Sequence, residues 1–265
     1  MTLNSVQKIN AKLKEGIGLI KAQGTLRFSK EASQYLFWEL LGHKVVLPLA
    51  IRQFKKKMQN IDGVDAAVDF AFAFNYFGLS IRPGQFKNEI TQLLNSVKEL
   101  EPKHLMEIGT AKGGTLFLFC QAASPNAQVL SVDLPGGKFG GGYSGRKNKL
   151  YRAFAKGNQE IVLIRKNAHE AGTLNEVKNV LSGSKLDFLF IDGDHTYEGV
   201  KKDFEMYSPL VRKGGIVAFH DIAKHPAKSK CEVNRFWNEI KCNYRFSEFV
   251  NDWNQGTYGI GIIYV

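Results

Sequence analysis

Hydrophobic positions along the chain change period once, near residue 80. From residue 1 to about 78, apolar residues recur at mixed three- and four-residue spacing, the period of helices. Gly63 and Gly78 punctuate that stretch, and Ile81-Arg82-Pro83-Gly84 breaks it. Residues 85–100 then predict an amphipathic helix. From Pro102 onward, short apolar runs alternate with helical stretches. Strands are predicted at 104–108, 128–132, 160–164, 186–191, 216–219 and 259–265, with helices at 113–123, 174–181 and 197–207 and a turn over 209–215. The 186–191 run is rich in Phe and Leu, as a strand buried on both faces should be. This alternation predicts an α/β, doubly wound, mainly parallel sheet over residues 81–265, preceded by a helical extension over 1–80. Sheets of this kind bind ligands beyond the carboxyl ends of their strands, so the residues following each strand are the candidates for chemistry.

Composition narrows the class. The 265 residues have an ordinary apolar share of 44% and no internal repeat. Cys120, Cys231 and Cys242 are odd in number and form no CxxC pair, so neither a disulfide framework nor a cysteine zinc site is indicated. With no basic-plus-apolar opening, a cytoplasmic setting is expected. Net charge is +11, and residues 1–60 hold eleven of the basic residues against Glu15, Glu31 and Glu39. Such a region with Lys55-Lys56-Lys57 can meet an anionic partner, but a solvated helix face is the plainer reading, and no nucleic-acid motif accompanies it. The apolar stretch 35–54 is interrupted by Glu39, His43, Lys44 and Arg52, which rules out a bilayer crossing. Pro48 is expected to bend or split a core or dimer-packing helix there.

The strand ends carry the chemistry. The first expected strand ends in Glu107 and enters Gly109-x-x-x-Gly113-Gly114-Thr115, where glycines let backbone approach a ligand and a helix start offers free N–H groups. A dinucleotide fingerprint would place glycine where Ala111 stands, which turns the reading away from NAD. Asp133 ends the second strand, twenty-four residues after Gly109, where a carboxylate can accept both ribose hydroxyls. The fourth strand delivers Asp192-Gly193-Asp194-His195 and the fifth His220-Asp221. Asp192 and Asp221, with His220 near or in the shell, can hold a divalent cation such as Mg²⁺, and His195 is the natural general base. Taken singly these are turn and cap residues; two strand ends converging favour a site.

The run Phe188-Leu-Phe-Ile-Asp192-Gly-Asp-His195-x-Tyr197, with Asp203, Pro209-Leu210, Gly214-Gly215 and Phe219-His220-Asp221, resembles class I S-adenosylmethionine-dependent methyltransferases of the cation-dependent O-methyltransferase group. Within that group it is most similar to the catechol O-methyltransferase-like, macrolide-sugar and cephalosporin-hydroxylase-like branch, over roughly residues 80–265. The resemblance implies a seven-stranded sheet and S-adenosylmethionine as cofactor. It implies that Glu107, Gly109, Gly113 and Thr115 meet the methionine part, Asp133 the ribose, Ala168 and His169 the adenine side, and Gln85 the segment closing over the cofactor. It also implies metal ligation by Asp192, His220 and Asp221, with Asp192 beside the cofactor and His195 as base. Imidazole at position 220, where the group carries an acid, is a poor Mg²⁺ ligand and a better one for Mn²⁺, Fe²⁺ or Zn²⁺.

The segment 134–146 holds six glycines and reads either as a mobile lid, with Lys138, Tyr143 and Arg146 toward the acceptor, or as a surface excursion. The expected reaction is methyl transfer to a hydroxyl of a sugar or other small metabolite, free or on a glycan. Residues 1–80 are expected to supply an acceptor pocket or a homodimer contact. The competing readings are a metal-dependent hydroxylase or other oxidoreductase on the same fold, and a non-catalytic cofactor-binding module.

Overall fold

The structure is a computed structural model that describes residues 45–136 and 142–265. Phe54–Val265 form one compact unit, and the expectations placed on residues 1–44 lie outside the described residues. The described residues open on α1 (Leu47–Met58), which carries Pro48 near its amino end. Next come α2 (Gly63–Ala73), the hairpin strands β1 (Asn75–Tyr76) and β2 (Leu79–Ser80), and α3 (Lys87–Leu100).

The sheet strands and their helices follow in alternation: β3 (His104–Ile108), α4 (Gly114–Ala122), β4 (Gln128–Val132), α5 (Asn148–Arg152), β5 (Glu160–Ile164), α6 (Ala171–Leu181), β6 (Leu186–Ile191), α7 (Tyr197–Tyr207), β7 (Val211–His220), α8 (Val233–Ile240), β8 (Arg245–Phe249) and β9 (Ile260–Tyr264). Seven strands form one sheet in the order β5-β4-β3-β6-β7-β9-β8. It is parallel except at β9, which runs antiparallel to both β7 and β8. The order reverses between β3 and β6, the point where a crevice opens beyond the strand ends. Ile108 pairs with Ile191, and Ile191 with Phe219, so the residues after β3, β6 and β7 emerge side by side.

Burial follows from composition. Every residue of α4 except Gln121 is buried, because its continuous apolar run packs on the sheet on one side and on the amino-terminal aromatics on the other. Phe119 meets Phe188 and Phe190 edge-on, while Phe117 meets Phe54 and Phe70. Each such ring contributes about 1.5–3 kcal/mol by leaving water.

Several expectations need correction. Residues 75–80 form a hairpin rather than more helix, with Gly78 at φ +85° supplying its turn. Residues 211–215 belong to β7 instead of a turn, with an irregular register against β6 between Leu186 and Phe188. The edge strand β8 and the helices α5 and α8 were not anticipated. Phe246 of β8 is partly exposed and its neighbours are polar, so no unbroken apolar run marks that strand.

Candidate active site

The first half of the site is built mainly from backbone. Gly109 follows β3 at φ +93°, and a side chain there would run into the carbonyl of Asp192. Only glycine lets the ends of β3 and β6 approach this closely. Ala111 also has positive φ, +44°, a strained state for a residue with a side chain. Its neighbours hold it there. Asp133 Oδ2 accepts the amides of Thr110 (2.9 Å) and Ala111 (2.7 Å), and the Tyr151 hydroxyl donates to the Ala111 carbonyl (2.7 Å). Asp133 Oδ1 accepts the Leu134 amide at 2.7 Å. Asp133, expected to meet a ribose, therefore follows β4 with both oxygens ordering the loop. Gly113 (φ +83°) starts α4, and Thr115 is buried in its first turn.

Glu107 is 1% exposed, and neither carboxylate oxygen has a hydrogen bond of good geometry. Burial pushes its carboxyl up to about 8, although the Thr110 and Thr115 hydroxyls pull the other way. An orphaned buried acid beside a glycine cradle fits a ligand that brings its own donors, as the amino group of S-adenosylmethionine would. Gln85 is buried too, with Oε1 unpartnered. Beyond β5, the Ala168 carbonyl accepts the Tyr207 hydroxyl (2.7 Å), and His169 Nε2 lies 3.1 Å from the buried Asp203. That hydrogen bond raises the His169 pKa above its ordinary value. Tyr143 is packed edge-on against Tyr151 at 3% exposure rather than presented outward, and Arg165 donates to the Tyr143 and Pro135 carbonyls. Arg146 lies in a short 3₁₀ turn, and Lys138 lies outside the described residues.

The second half is dense with charge. His220 Nδ1 lies 3.0 Å from Asp192 Oδ1 and 3.4 Å from Asp221 Oδ1. His195 Nδ1 is 2.7 Å from Asp221 Oδ2, while its Nε2 is 3.6 Å from Asp192, beyond hydrogen-bond reach. His225 Nε2 adds a third imidazole, 3.1 Å from Asp221 Oδ1. Asp221 itself stands at φ +62°, and its Oδ1 accepts the Tyr258 amide at 3.1 Å. A strained backbone held by so many partners is characteristic of a working site. The Asp221 hydrogen bond, with help from Cys231, pushes the His195 pKa up to about 11. Burial works to raise the Asp221 carboxyl, but His220 and then the other imidazoles hold it far below the usual range.

Ligand atoms of Asp192, His220 and Asp221 lie within 4.8 Å of one another, close enough to share one cation. Two carboxylates and an imidazole fit a divalent ion of the Mn²⁺ type better than the all-oxygen shell Mg²⁺ prefers. His225 and Cys231 escaped the sequence reading. Five residues after His220, His225 was a visible signal; Cys231 gave none, because only the fold of the 222–232 segment brings it to His195.

Residues 106–222 match the family described as a methyltransferase domain. That match spans a little under half of the chain. The matched segment lies within the sheet and contains Glu107, Gly109, Gly113, Thr115, Asp133, Asp192, His195, His220 and Asp221. Over 132 residues, 47% of this chain, the protein is 33% identical to the uncharacterized protein y4gI of Sinorhizobium fredii. Over 135 residues, 50% of this chain, it is 30% identical to the uncharacterized protein R132 of Acanthamoeba polyphaga mimivirus. These matches span 14% and 57% of the two relatives. The fold is that of the Bacillus cereus O-methyltransferase solved with SAH, at TM-score 0.50 and 16% identity over 88% of this chain and 97% of that one.

Proposed function

We propose that the protein is an S-adenosylmethionine-dependent O-methyltransferase acting on a hydroxyl of a sugar or other small metabolite, with His195 as general base. The observation that supports it best is the close approach of Gly109 to the Asp192 carbonyl, which joins the glycine loop after β3 to the acid–imidazole cluster after β6 and β7.

Each residue then has a task. Gly109, Gly113 and the first turn of α4 leave room and free amides for the cofactor, and Glu107 accepts from its amino group. Asp133 serves the ribose from the position where it now orders Thr110 and Ala111. Asp192, His220 and Asp221 would hold the divalent cation, which, when bound, supplies a Lewis acid that acidifies the acceptor hydroxyl. Asp221 fixes the His195 ring through Nδ1; the surrounding carboxylates keep the imidazole charged when no cation is present, and Nε2 would be free to take the acceptor proton once a divalent charge held by Asp192, His220 and Asp221 offsets them. Holding acceptor oxygen and methyl carbon in line accounts for much of the acceleration.

The test is a screen of hydroxylated acceptors, sugars first, by mass for a methyl adduct, with and without a chelator. Product that depends on His195 supports the assignment. No product with any acceptor, in a protein that binds the methyl donor, would leave a cofactor-binding module.

A further inference from the structure

The cysteine spacing excludes a CxxC zinc site, yet the fold brings one thiol to the catalytic cluster. The segment after β7 folds back so that the Glu232 amide donates to the His195 carbonyl at 2.8 Å, and the Cys231 amide donates to Ser229 Oγ at 3.2 Å. This sets the half-buried Cys231 thiol against His195. One ligand atom each from His195, Asp221 and Cys231 lie within 4.8 Å of one another. The two oxygens of Asp221 face different ways: Oδ1 toward His220 and His225, Oδ2 toward His195. The thiol-bearing set therefore meets the carboxylate on the side away from His220.

We propose that His195, Asp221 and Cys231 form a second cation site, selective for a borderline-soft ion of the Zn²⁺ class. One nitrogen, one oxygen and one sulfur are the donors zinc takes in tetrahedral sites, and three protein ligands leave a fourth position for water. Sulfur discriminates against Mn²⁺, which favours the oxygen-led set of Asp192, His220 and Asp221. Binding deprotonates the Cys231 thiol and the His195 imidazolium and releases both protons to solvent. An ion in this site engages His195. If His195 is the base of methyl transfer, as proposed above, zinc is then an inhibitor that competes for the base rather than for either substrate. That consequence rests on the proposed function; the binding site does not.

The experiment uses the full chain with Co²⁺ as an optical probe, Zn²⁺ as competitor and Mn²⁺ as the reference for the other set. Wild type should show a thiolate-to-cobalt charge-transfer band that Zn²⁺ abolishes. Cys231→Ser and Cys231→Ala should lack the band and bind Zn²⁺ about tenfold or more weakly, with Mn²⁺ affinity unchanged, while Cys242→Ser should retain it. A band that survives in both Cys231 variants, equal Zn²⁺ affinity in all proteins, or a parallel loss of Mn²⁺ binding would each overturn the site. Titration of S-adenosylmethionine into the same samples separates the two ideas, since absent cofactor binding would refute methyl transfer while leaving the zinc result standing.

Discussion

The two sides of the crevice are built on opposite plans. Beyond β3 and β4 the residues are mostly glycine and backbone amide, with Asp133 held by backbone amides and Glu107 buried without a partner. Beyond β6 and β7 the residues are nearly all side chain, with three imidazoles facing the single carboxylate of Asp221. The first side is shaped before a ligand arrives and should fail through geometry. The second is held by charge and should fail through chemistry, with the fold intact.

The largest effect expected from this contrast is on turnover. His195→Ala should lower kcat by about 10²–10⁴-fold, the usual share of a general base, while leaving cofactor affinity close to wild type. Steady-state kinetics beside calorimetry would check it; near-normal kcat would remove His195 from the chemistry. Next comes geometry. Gly109→Ala combines a disfavoured φ with a collision against Asp192, and should destabilise the domain by about 3 kcal/mol in denaturant titration. Gly84→Ala, where a methyl meets nothing within 4 Å, should stay within about 0.5 kcal/mol of wild type.

A smaller effect separates the halves by pH. Glu107 keeps its proton in the folded state up to about 8 but loses it near 4.5 when unfolded. The folded state therefore binds more protons between those values, and stability should fall as pH rises through that window. Glu107→Gln should flatten this fall and be the more stable protein above pH 8 without cofactor, as thermal melts against pH would show. An unchanged slope would mean that Glu107 is already ionised in the fold. His169 acts in the same direction more weakly: its raised pKa adds stability that is full below 6.5 and lost as pH climbs past the folded value, so His169→Asn should lose a little stability at pH 6 and none at pH 9.

The sequence made the first side legible because its requirements are local. A glycine needed for positive φ, or an acid closing a strand, is set by a few neighbouring residues, and so Gly109, Gly113 and Asp133 were found where they stand. Six of the seven sheet strands were legible for the same reason, since apolar runs such as 186–191 announce burial. What stayed hidden depends on long-range folding. β8 carries its pairing on a strand of mixed polarity at the sheet edge, and Cys231 reaches His195 only because the segment after β7 turns back. Ala111 stands where the dinucleotide fingerprint has glycine, but its left-handed backbone is held by Asp133 and Tyr151, twenty-two and forty residues away.

In the proposed function the cradle beyond β3 takes a methyl donor and faces the acid–imidazole cluster. Calorimetric titration of the intact protein with S-adenosylmethionine and, separately, with NAD⁺ tests it most directly. Saturable binding of the methyl donor, lost in Asp133→Ala and kept in His195→Ala, is the predicted result. Tight NAD⁺ binding with no response to S-adenosylmethionine would contradict it.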